Sequence, residues 1–161
     1  MYSHTDLPSD SKVWVYQSNR RLSKNEISEI TRKGKEFIQN WASHCSSLKA
    51  AIEIFYDHFI VVFVDEKQAA ASGCSIDKSF QFIKELEVDY EMTLLDRTIV
   101  AYRENDEILS CRLDEFEELI KEGKVDENTI VFNNLVDTRK DFDTRWEVLL
   151  KDSWHRRLLK T

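Results

Sequence analysis

The chain has 161 residues, 42% of them hydrophobic and 33% charged, with a formal net charge of −7. That length suits one domain with a buried core, and that composition excludes a disordered chain. The acidic excess argues against bulk nucleic-acid binding, which needs a basic face over the phosphates. No apolar run approaches the roughly 20 residues that span a bilayer.

Residues 1–11 are polar, carry Asp6 and Asp10, and lack the apolar stretch of a signal peptide. They are expected as a flexible arm ahead of a single α+β domain over residues 12–161. Cys45, Cys74 and Cys111 are odd in number and widely spaced, with no CxxC pair. Neither a zinc site nor a redox dithiol is indicated, and reduced thiols in a cytoplasmic setting are expected.

The first predicted strand is KVWVYQ, residues 12–17, apolar on both faces and so central. Ser23 and Glu26 form a capping-box signature, and Ile27, Ile30, Phe37, Ile38 and Trp41 follow at helical spacing to about Ser43. AAIEIFY, residues 50–56, and FIVVFV, residues 59–64, read as a hairpin turning at Asp57-His58. A second helix carries Ile76, Phe80, Ile83, Leu86 and Tyr90 on one face, and TIVAYR, residues 98–103, is a fourth strand.

This β-α-β-β-α-β order is the split βαβ, or ferredoxin-like, arrangement, with the strand order 4-1-3-2. Strands 1 and 3 are expected at the centre and parallel. The chain then adds a hairpin across Asn105-Asp106, a short helix stopped at Gly123, a strand at residues 129–133 and a last helix that starts near Thr138, faces Phe142, Trp146, Leu149 and Leu150 inward and ends in SWHRRLLK, residues 153–160. The predicted fold is therefore a ferredoxin-like core extended by β-α-β-α into a mixed six-stranded sheet.

Parallel strands 1 and 3 would bring their following loops to one edge, where open α/β sheets bind ligands. Asn19, Arg20 and Arg21 follow strand 1; Gly73, Cys74 and Ser75 precede the second helix; Asn133 and Asn134 follow the sixth strand. Two helix starts, arginines and amide side chains on one edge suit a small anionic ligand. Cys74, near a helix N-terminus, is the candidate nucleophile or redox-sensitive thiol, with His44 or His155 as a base brought close by the fold. Its alternative is a small packed residue beside a helix cap. Asp65, Asp77 and Asp137 could offer oxygen ligands, but nothing fixes their geometry, and no metal or cofactor is expected. SWHRR, residues 153–157, is an aromatic and basic cluster that either meets an acidic partner or ends a helix favourably.

A P-loop requires GxxxxGK[ST]. Gly34, Gly73 and Gly123 are the only glycines and no pair has that spacing, so neither this motif nor a Rossmann fingerprint exists here.

Taken together, KVWVYQSNR, FIVVFVDE, SGCSIDKS, TIVFNNLV and SWHRRLL resemble a small bacterial family of about this length whose members often carry the label "ABC transporter ATPase". The resemblance spans nearly the whole chain and implies no established activity. DEFEELIKEGKVDENTIVF, residues 114–132, is similar to the helix-strand part of GYF-type peptide-binding domains, although Ser110-Cys111-Arg112 lacks their Gly-Pro-Phe residues. The expected function is a non-catalytic binding domain, able to pair as a homodimer, with a thiol-dependent enzyme using Cys74 as the alternative.

Overall fold

The alternation of KVWVYQ needs a layer on each side, and the fold supplies both. The computed structural model describes residues 3–44, 48–65 and 73–159, with the backbone alone at 43, 44 and 73–76. Strands β1 (Lys12–Gln17), β2 (Lys49–Phe55) and β3 (Phe59–Asp65) form one sheet in the order β1-β3-β2. Every residue of β3 is buried. Both pairings are antiparallel, with Gln17 opposite Phe59 and Lys12 opposite Val64.

The expected parallel relation of strands 1 and 3 is thus corrected. The crossover helix returns β2 parallel to β1 one strand away. A tight turn, with Tyr56 and Asp57 at φ 54° and 58°, then folds β3 back into the gap between them. The direction of β3 opposes both neighbours.

Helix α1 (Lys24–His44) starts on the predicted box: Glu26 N–H donates to Ser23 Oγ at 3.1 Å and Ser23 N–H to the Glu26 carboxylate at 2.8 Å. Together with α2 (Gly73–Tyr90) it covers one face of the sheet. Ala50, Ile52, Ile60, Val62 and Val64 meet Ile30, Ile38, Trp41, Ile83 and Leu86 there. Burying each larger apolar side chain contributes about 1.5–3 kcal/mol.

The fourth strand does not join this sheet. Strands β4 (Ile99–Glu104), β5 (Glu107–Arg112), β6 (Ile130–Phe132) and β7 (Glu147–Leu149) form a second antiparallel sheet in the order β5-β4-β6-β7. With β5 on one side and β6 on the other, β4 has no edge left for β1. Two sheets of three and four strands replace the expected six-stranded one. The β4–β5 hairpin turns as predicted, with Asn105 and Asp106 at positive φ.

Helix α3 (Leu113–Lys121) stops where predicted, at Gly123 with φ 76°. The last predicted helix is shorter than expected. Helix α4 (Arg139–Arg145) ends at Trp146, and Val148 pairs opposite Val131 in β7. The cause is Trp146, which is buried and stacks on Phe142 with ring centroids 4.5 Å apart.

The layers run helix, sheet, sheet, helix. Phe59, Val61 and Phe63 of the first sheet meet Ala101, Phe132, Phe142 and Trp146. The far side of the second sheet, through Val100, Tyr102 and Val131, packs on Phe116 and Leu150. Residues 3–11, expected as a loose arm, are packed too. Leu7 is buried in the inter-sheet cluster, and His4 stacks on Phe63 at 4.8 Å and bonds to Glu53.

Candidate functional site

Antiparallel pairing divides the edge that the sequence placed together. Gln17 ends β1 opposite the start of β3, so Asn19, Arg20 and Arg21 lie at one end of the sheet and Asp65 at the other. Arg20 reaches the carbonyl of Tyr90, the last residue of α2. Gly73, Cys74 and Ser75 open the same helix, and 17 residue steps at about 1.5 Å each put roughly 26 Å between its ends. The side chains of Cys74, Ser75 and His44 lie outside the described residues, as does Cys45.

The strand-1 loop is held by structural bonds. Asn19 Oδ1 accepts from Thr93 N–H at 3.0 Å. Arg20 forms a two-pronged pair with Glu26 at 2.9 and 2.7 Å. That hydrogen bonding, aided by the Ser23 amide, holds the Glu26 carboxyl down to about 2. Arg21 pairs with Asp57 at 3.0 Å.

Asn133 and Asn134 do different work. Asn133 Oδ1 accepts from Leu135 N–H at 3.2 Å in a local turn. Asn134 sits between Trp146 and Gln17. The Trp146 indole can only donate, and its Nε1 lies 2.9 Å from Asn134 Oδ1. The Asn134 amide nitrogen must therefore face Gln17, and it donates to Gln17 Oε1 at 2.8 Å. Gln17 Nε2 is left over. It is buried, in a residue only 5% exposed, and has no hydrogen-bond partner among the described residues.

Gln17 lines a cavity of about 450 Å³. Val13, Trp14, Val15, Tyr16 and Gln17 all border it. Consecutive strand residues point to opposite faces, so the cavity lies against the edge of β1 rather than either face. The opposite walls come from Phe80 of α2, Leu94–Arg97, the Asn134–Asp137 loop and Trp154. Burial also pushes the Tyr16 hydroxyl upward, so Tyr16 stays neutral.

The SWHRR segment lies in a 3-10 turn, Trp154–Leu159, beside this cavity. Trp154 stacks on His155 at 3.8 Å, and Arg157 lies 4.9 Å above Trp154. Burial, then Arg157, push His155 down to about 4. Its Nδ1 bonds to Ser153 Oγ at 2.6 Å. The bonding holds the turn: Ser153 is buried and also accepts from the His155 amide at 3.0 Å, and the lowered His155 imidazole is neutral and a weak base at neutral pH.

Cys111 is half-buried in β5; burial, then Glu115 and Asp114, push its thiol up to about 11. It is protonated at neutral pH and a poor nucleophile. Among the described residues no group of three or more His, Cys, Asp or Glu side chains could hold a metal ion. Asp137, one of the acids considered for that role, pairs with Lys12 at 3.2 Å.

Sequence reasoning missed Gln17 and the aromatics around it, because an apolar strand reads as core. The one signal was Gln17 itself, a polar residue closing a strand read as buried on both faces. No family model, curated protein or solved structure matches this chain.

Proposed function

We propose that the chain is a non-catalytic binding domain that holds a small organic ligand in the cavity along β1. The observation that carries this reading is the relay from Trp146 through Asn134 to Gln17, which leaves one buried amide nitrogen of a cavity-lining residue without a partner among the described residues. An unsatisfied buried donor costs about 1–3 kcal/mol, and a ligand acceptor would offset it. Aromatic walls with a few fixed polar groups are the usual composition of a ligand site. The strand order β1-β3-β2 with both helices on one face supports a ferredoxin-like first half, to which the second sheet is appended. A cytoplasmic setting is inferred from the odd number of widely spaced cysteines and the lack of a CxxC pair.

The small anionic ligand expected at the arginine loop has less support there, since Arg20 and Arg21 both carry carboxylate partners. The cavity rim carries Asp96 and Asp137 against Arg97, and Asp137 is itself paired with Lys12. Net charge favours neither sign, so recognition falls to neutral hydrogen bonding. The test is a fragment screen read by amide and indole NMR signals. The Trp14 and Trp154 indoles and the Gln17 side-chain amide should move together for a binder, and the melting temperature should rise through linkage. A broad screen that moves none of them overturns the reading.

A further inference from the structure

We infer that the ligand presents a planar amide-type edge, an N–H donor beside a C=O acceptor, as a nucleobase or similar lactam heterocycle does. This rests on the binding reading above and follows from the hydrogen-bond parity of β1.

Ser18 N–H donates to His58 carbonyl, on the β3 side. Val13 N–H donates to Asp137 carbonyl, on the opposite side. Antiparallel strands alternate, so Val13, Val15 and Gln17 direct their backbone groups away from β3. Val15 therefore offers one N–H and one C=O along the edge that borders the cavity. Neither has a partner among the described residues.

That rung is isolated. Toward the start of the strand, Val13 N–H is tied to Asp137 carbonyl at 2.9 Å, and Arg139 N–H reaches Ser11 carbonyl at 2.9 Å. Toward its end, the Asn134 side chain bonds the Gln17 side chain at 2.8 Å, which brings the 134–137 loop across the strand edge. An added peptide strand needs clear space along several successive rungs, and that loop takes it at both ends. A compact flat ligand needs one. Its donor and acceptor answer Val15, a further acceptor draws the Gln17 amide, buried beside the cavity, toward it, and Trp14, Tyr16 and Trp154 provide surfaces for stacking. The cavity, about 450 Å³, lies within the range of small-ligand sites.

The test uses the full chain with uracil, cytosine and hypoxanthine as probes, 1,3-dimethyluracil as the edge-blocked control, and benzoate as a flat acid without a lactam edge. The lactam probes should shift the Val15 amide and the Gln17 side-chain amide. Dimethylation should weaken binding at least about tenfold, the size of one lost buried hydrogen bond. Gln17→Met should weaken it similarly, and Arg20→Ala should leave the affinity unchanged when measured well below its melting temperature. Equal binding of the dimethylated probe overturns the proposal. So does binding of benzoate alone, which leaves the cavity as a site but removes the edge recognition. A short extended peptide that perturbs Val13 through Gln17 together, where the heterocycles do not, also overturns it. Silence from every probe class removes both this proposal and the binding reading beneath it.

Discussion

Arg20 and Glu26 close on each other through two parallel hydrogen bonds, and the same guanidinium holds the carbonyl that ends α2. The pair ties the start of α1 to the end of α2. Arg20→Ala should therefore destabilise the fold by about 2 kcal/mol, the scale of charge-assisted bonds at a partly exposed site. Urea denaturation reads this directly. The carboxyl of Glu26 is held well below its unfolded value, so its contribution is complete above about pH 4.5 and is lost as pH falls toward about 2. Glu26→Gln should flatten the stability profile in that window and leave its shape unchanged near neutrality.

The parity of β1 predicts a pattern of amide exchange. Trp14 and Tyr16 direct their N–H groups into the β3 ladder, while Val15 directs its own toward the cavity. Native-state hydrogen exchange should show Trp14 and Tyr16 strongly protected and Val15 exchanging much faster, although it lies between them. Equal protection at all three positions would refute the open rung.

Most of the secondary structure was legible because it is local. Ser23 and Glu26 cap α1 as their spacing requires, Asn105-Asp106 turns the β4–β5 hairpin, and Gly123 ends α3. Sheet membership was not legible, because it depends on which edges are already occupied. β4 satisfies both edges with β5 and β6, and that is a long-range fact with no mark in TIVAYR. The direction of β3 was legible, since the hairpin at Asp57-His58 reverses a strand that the crossover helix returns parallel to β1, and the candidate site failed by assigning that direction wrongly. Arg20 and Gly73 lie beside their strands in sequence as expected, but an antiparallel β3 sends the second loop to the far end.

His155 gives the chain a second acid-sensitive element. Its ring is buried and held down to about 4, against about 6.5 in an unfolded chain. The unfolded state takes up the proton first, so the contribution is complete above about pH 6.5 and is lost progressively down to about pH 4. Stability should decline across that range by an amount on the order of 3 kcal/mol, and His155→Gln should remove that part of the slope even if it lowers stability at pH 7. A slope unchanged in the variant would assign the decline to other groups.

The cysteines separate the binding reading from the thiol-enzyme alternative. A chain retaining Cys111 alone, with Cys45→Ser and Cys74→Ser, should alkylate slowly at pH 7, because its thiol is pushed up to about 11. A chain retaining Cys74 alone, with Cys45→Ser and Cys111→Ser, isolates that thiol, and the binding reading expects its alkylation to be no faster at pH 6 than that of a free cysteine. A Cys74 thiolate already formed at pH 6 would favour the enzyme instead.

Gly34 marks how closely α1 approaches the sheet. A Cβ added there would lie 2.7 Å from Ile52 Cγ2 and 3.3 Å from its Cδ1. In an exposed helix interior, Gly→Ala gains about 0.8–1 kcal/mol of propensity. Here the methyl group meets a β-branched side chain on β2 that is buried beneath the helix and has few rotamers to retreat into. Overpacking of this kind typically costs about 1–3 kcal/mol, which exceeds the propensity gain. Gly34→Ala should therefore destabilise the chain. Ile52→Ala alone should cost about 2–5 kcal/mol through the cavity it leaves. Combined, the two substitutions should cost less than their sum, because the new methyl group fills part of that cavity. Urea denaturation of the four species measures the coupling; strict additivity would mean that α1 shifts away from β2 to relieve the contact.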